Sequence, residues 1–205
     1  MPGLRTRLIE TVRDAYPTSF TGLNPSRLLG EDAFDGPKPH PNAVLNLFIQ
    51  QKVTSALPMA YYMAARRGLD SLMDTRLPSS ATLSGQTLGS AIRGLVALRE
   101  MELKETHRIA FMIGGDTGGC SSTECPSLQV PSDTGIVRGY QQAFDRITGT
   151  ANDGTRILQL LSASELAEDP ESTFSQSCEE GMQKAHADVK KRAWAALPEV
   201  FGLRV

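Results

Sequence analysis

The sequence predicts an all-α fold: an irregular multi-helix domain of about six to eight helices joined by long loops. Three observations carry that expectation. Apolar residues recur at three- and four-residue spacing in several segments. No stretch shows the strict alternation and hairpin turns of paired strands. Proline and glycine concentrate in stretches between periodic segments, as at 17–41 and 114–132.

Taken in order, Leu4, Leu8, Val12 and Ala15 form the first apolar stripe. The pair Tyr16-Pro17 stops it, because proline disfavours helix in the residue before it. Residues 17–41 hold five of the twelve prolines and read as a surface loop with a short helical turn near Pro25–Leu29. Pro41-Asn42 opens a helix from Ala43 to about Gln51, with Val44, Leu45, Phe48 and Ile49 inward. After a break at Val53-Thr54-Ser55, Ser55 is the expected N-cap of a helix that carries Pro58 in its first turn and runs to about Arg67. Gly68 stops that helix, and a short one follows at Leu69–Met73.

Ser84 introduces the longest pattern, about Gly85 to Ile113. Leu88, Ile92, Leu95 and Val96 are expected to face the core, and Arg99, Glu100, Glu102, Lys104 and Glu105 to face water, Glu100 and Lys104 as an i,i+4 pair. Residues 114–132 are a loop on composition. Further helices are expected from Asp133 or Thr134 to about Ile147 and from Thr155 to about Leu161. A final amphipathic helix spans about Gln176 to Leu197, with Met182, Ala185, Val189, Ala193 and Leu197 inward. The whole of 1–205 is expected to be one domain, with a looser C-terminal part over 133–205.

Composition bounds the function. A chain of 205 residues, 40% hydrophobic and 21% charged, is ordinary for a folded soluble protein. A net charge of −2 provides no global pull toward nucleic acid or anionic membrane. Lys190-Lys191-Arg192 reads as a solvated helix face rather than a phosphate-binding patch. No apolar run near Met1–Arg7 resembles a signal peptide, and none approaches the ~20 residues that span a bilayer. A reducing cytoplasmic or nuclear setting is therefore expected, in which Cys120, Cys125 and Cys178 are free thiols or ligands.

Candidate chemistry is sparse. Gly114-Gly115-Asp116-Thr117-Gly118-Gly119-Cys120 follows a helix, not a strand, and lacks the Gly-Lys-Ser or Gly-Lys-Thr of a phosphate loop. A cysteine nucleophile needs a nearby base, and His40, His107 and His186 stand in no catalytic signature. Cys120 and Cys125 are close enough in sequence to share a zinc ion, with Cys178 and His186 as further candidate ligands, although eight residues on one helix is a poor chelating separation. The bland reading is loop thiols and a cysteine near a helix start. Trp194, the only tryptophan, is expected to be a packing anchor ahead of a tail that folds back on the helices.

That tail, Trp194-Ala195-Ala196-Leu197-Pro198-Glu199-Val200-Phe201-Gly202-Leu203, resembles the C-terminal signature of basidiomycete fungal proteins with a BTB/POZ domain. Ala15-Tyr16-Pro17-Thr18-Ser19-Phe20, His40-Pro41 with Val44-Leu45-Asn46-Leu47, and Leu57-Pro58-Met59-Ala60-Tyr61-Tyr62 are similar to family stretches in the same order, spanning nearly the whole chain. The resemblance implies the helical region that follows the BTB domain, itself a dimerising, partner-binding module expected to be missing from this chain. It also implies a protein partner; with no catalytic constellation in the sequence, no enzyme activity and no cofactor are expected. Where the family has a Cys-x-x-Cys before the last helix, this chain reads Ser175-Gln176-Ser177-Cys178. Serine is a poor zinc ligand, so a four-cysteine site would be lost or weakened here. The alternative expectation is a zinc or thiol site, a zinc binder or cysteine enzyme, on Cys120, Cys125 and Cys178. No nucleic-acid or membrane partner is expected, and nothing in the sequence specifies the oligomeric state.

Overall fold

The backbone of His40-Pro41-Asn42 shows why the first described helix begins where it does. Proline at N1 gives up an N–H that would have no partner, and the His40 side chain accepts from the Asn42 N–H at 3.3 Å. In the computed structural model, residues 16–22, 39–114, 157 and 176–203 are described. Within the two longest helices the side chains of 106, 107, 109–114 and 176–183 lie outside that description. The described elements are helical, with no strand among the described residues. A 3-10 turn at Phe20–Gly22 is followed by α1 (Pro41–Gln51), a 3-10 turn at Thr54–Ala56, α2 (Leu57–Ala65), α3 (Gly68–Leu72), α4 (Gly85–Gly114) and α5 (Gln176–Val200). The expected helices at 4–15, 133–147 and 155–161, and the turn near Pro25–Leu29, fall outside the described residues, Tyr16 and the buried Ile157 excepted.

The described residues divide between two compact units. The first holds 16–22, 39–98 and 194–203; the second holds 99–114, Ile157 and 176–193.

In the first unit α1 packs on α2. Val44, Leu45 and Phe48 are buried on one side, and Met59, Ala60, Tyr61, Tyr62, Ala64 and Ala65 on the other. Tyr16 meets Phe48 edge-on, with ring centroids 5.5 Å apart. Two asparagines one turn apart tie α1 to α3 and to the loop before α4. Asn42 Nδ2 donates to the Ser71 carbonyl at 3.3 Å, and Asn46 Nδ2 donates to the carbonyls of Ser80 (3.0 Å) and Thr82 (2.8 Å). Loop and helix-end carbonyls that have no partner within their own element are satisfied in this way.

Helix α1 ends on Lys52 with φ 56° and ψ 37°, a left-handed residue. Val53 N–H bonds to the Phe48 carbonyl at 2.9 Å and Lys52 N–H to that of Ile49 at 3.2 Å, the paired bonds of a Schellman cap. Lysine is strained there by its Cβ, which glycine lacks. Lys52→Gly is expected to raise the unfolding free energy by ~0.5–1 kcal/mol, read as a higher urea midpoint at unchanged slope.

Several boundaries differ from expectation. Ser55 does not cap α2. It lies inside the 3-10 turn, and the N-cap is Ala56, which makes no side-chain cap bond. Pro58 stands in the first turn as expected, but the helix closes at Ala65 rather than Arg67. Gly68, with φ 85°, does separate the helices and is the first residue of α3. Ser84 does cap α4: its Oγ accepts from the Thr87 N–H at 3.2 Å.

Helix α4 presents an inward stripe that shares only Leu95 with the expected one. Thr87, Ala91, Gly94, Leu95, Leu98 and Glu102 are buried, Leu88 and Ile92 are half-buried, and Val96 is 60% exposed. Glu102, expected in water, is only 4% exposed. The period was legible but its phase was not, because the small residues Ala91 and Gly94 face inward where the sequence offers bulkier candidates a residue or two away.

The described part of the inward stripe of α5 is as expected, with Ala185, Val189, Ala193 and Leu197 buried, while the side chain of Met182 lies outside the description. The helix passes Leu197-Pro198 and continues to Val200. Proline inside a helix removes a bond and crowds the preceding turn, and Pro198 bears that cost in the last turn. Gly202, at φ 68°, closes the helix: its N–H bonds to the Glu199 carbonyl (2.9 Å) and the Leu203 N–H to that of Pro198 (2.7 Å). The tail folds back as expected. Phe201 is 1% exposed and stacks on Tyr61 with centroids 5.1 Å apart, and Trp194 meets Phe20 edge-on at 6.5 Å.

Candidate functional site

Of the candidate ligands, Cys120 and Cys125 lie outside the described residues, as does the glycine-rich loop after Gly114. Cys178 lies in the first turn of α5, with its side chain outside the description, and His186 is two turns further along the same helix. Among the described residues no three His, Cys, Asp or Glu side chains gather as a metal site.

The described histidines have visible structural environments. His40 is the α1 N-cap, a task that needs its Nδ1 unprotonated. Burial, then the charge of Arg67, lowers its pKa, while Asp74 opposes them. Asp74 is itself held low by hydrogen bonds from Arg76, whose Nε donates to Asp74 Oδ1 at 2.9 Å. The cap was not read from the sequence; the signal that could have shown it is a polar side chain directly before an N1 proline.

His186 is 7% exposed among Ala185 and Val189. Burial, then Lys190 one turn away, pushes its pKa down to about 4 from the ordinary 6.5. It is therefore neutral at pH 7. The unfolded chain takes up a proton below about pH 6.5 that the folded chain refuses until about pH 4. Stability is thus full above that window and falls as pH drops through it. The expected loss averages ~1 kcal/mol per pH unit across the window, below the ~1.4 kcal/mol limit for one proton because protonation is partial at both ends. Urea midpoints between pH 7.5 and 4.5 read this directly. His186→Leu should remove more than half of the slope, and an unchanged slope would exclude His186 as its source.

In the second unit the basic stretch of α5 is partly engaged. Arg192 Nη2 lies 2.8 Å from Glu105 Oε2, and Arg108 Nε lies 2.7 Å from the same oxygen. Burial alone would raise the Glu105 carboxyl, but the hydrogen bond and charge of Arg108, joined by Arg192, outweigh it and hold the pKa below the usual range. Both arginines are half exposed, so each pair is worth ~0.2–1 kcal/mol. Arg192 is thus partly committed to a carboxylate.

The buried phenols serve packing. Burial raises Tyr16 to about 12 against the lowering effect of Arg67, and raises Tyr61 against its hydrogen bond with Thr87. The Thr87 hydroxyl is also 2.9 Å from Ser84 Oγ, so a hydroxyl chain runs from the α4 N-cap to the ring that holds Phe201. Protonated phenols with raised pKa values are poor bases near neutral pH.

What the first unit presents outward is apolar in places: Val96 at 60%, Met73 at 55% and Ile49 at 37% exposure. Gly85 and Gly89 on α4 are open, with nothing within 4 Å of where a Cβ would stand. Isolated exposed apolar residues are ordinary, but a mid-helix valine is well suited to a protein contact. Among the described residues no helix is long and apolar enough to cross a membrane. No family model, no curated protein and no solved structure matches the chain.

Proposed function

We propose that this chain is a non-enzymatic helical protein-contact module, of the kind its motifs resemble: the region that follows the BTB domain in basidiomycete fungal proteins, working with a protein partner in the cytoplasm or nucleus. The observation that carries the reading is Val96, an apolar side chain turned outward in the middle of the longest described helix. Met73 and Ile49 on the same unit add exposed apolar area. Three titratable groups fit the reading too: His40 caps a helix, and Tyr16 and Tyr61 pack in the core.

The test is site-specific photo-crosslinking in cells with a benzophenone amino acid at 96, at 73 and, as a control, at the exposed polar position 86. Discrete adducts at 96 or 73 but not at 86, and absent when the other apolar site carries Asp, are the expected result. Val96→Asp should leave the unfolding free energy within ~0.5 kcal/mol of the parent, as for other exposed positions. No adduct at either apolar site would remove the support Val96 lends.

A zinc or thiol site on Cys120, Cys125 and Cys178 is the competing reading, and it rests on the Cys120/Cys125 spacing in the sequence, with His186 two turns from Cys178 on α5. Near-stoichiometric zinc in the purified protein, with shielded thiols, would favour it. Three freely titrating thiols and no metal would leave the contact module.

A further inference from the structure

No further inference is drawn: the strongest candidate, the outward face of α4 around Val96 with the open positions Gly85 and Gly89, is an unpartnered helix face, and nothing in the structure shows what covers it.

Discussion

Phe201→Ala is expected to cost the first unit ~3–5 kcal/mol, the range for emptying a fully buried aromatic site. Phe201 is 1% exposed, its ring is stacked on Tyr61 at an interplanar angle of 23°, and Gly94 lies directly against it. Removing the ring leaves a cavity that the Tyr61 side can fill only by giving up its own packing, including the bond to Thr87. Aromatic stacking adds ~0.5–1.5 kcal/mol beyond area burial. With a urea slope of ~2 kcal/mol per molar, the midpoint should fall by ~2 M. Phe201→Leu, which keeps much of the apolar volume, should lose less than half as much. A Phe201→Ala midpoint within ~0.5 M of the parent would show that the tail is not a structural part of this unit.

Gly94→Ala should also destabilise, against the usual gain of ~1 kcal/mol for replacing a helical glycine by alanine. A Cβ at position 94 would overlap the Phe201 ring, standing 2.9 Å from Cζ and closer still to Cε1 and Cδ1. The ring cannot move aside without losing its stack on Tyr61, so the expected net effect is a loss of ~1–3 kcal/mol, the range for overpacking. The two sites form a cycle. In the Phe201→Ala background the clash is gone and Gly94→Ala should become stabilising, a reversal of sign that simple additivity forbids. If Gly94→Ala stabilises the parent protein, the close approach is wrong. The open positions Gly85 and Gly89 serve as controls. Alanine there should stabilise whether or not Phe201 is present.

These two sites explain why the phase of α4 was harder to read than its period. Spacing alone allows two neighbouring stripes around Leu95, one through Leu88, Ile92 and Val96 and one through Thr87, Ala91 and Leu98. Size favours the first, and the structure takes the second. The deciding contact is with a residue more than a hundred positions later in the chain, which no local pattern records. The same holds for Glu102, whose burial follows from the phase. On α5 the charged residues Lys184, Asp188, Lys191 and Arg192 mark the outer side, and Ala185, Val189, Ala193 and Leu197 are buried as the spacing predicts.

The candidate site was legible only in part. The sequence named Cys120, Cys125, Cys178 and His186, and of these the structure describes the side chain of His186 alone. It also placed Val96 inside, so the exposed residue that best supports a contact role was missed for the same reason that the helix phase was. The His40 cap went unread because a histidine cap leaves no periodic trace, whereas the Ser84 cap follows the ordinary preference for serine.

The sequence by itself determined what depends on neighbours within one or two turns. It placed the helices of the described regions to within a few residues, with Pro41 opening α1, Gly68 parting α2 from α3 and Ser84 capping α4. These are outcomes of backbone geometry, missing N–H groups and local hydrogen bonds. Only the tertiary structure decided which side of α4 faces inward, that the last helix runs on past Pro198, and that Lys52 adopts a left-handed conformation. Each of these exacts a local penalty, in helix propensity, proline strain or Cβ crowding. A local rule read from the sequence sees that penalty but not the burial of Phe201 and the core around α1 and α2 that outweighs it.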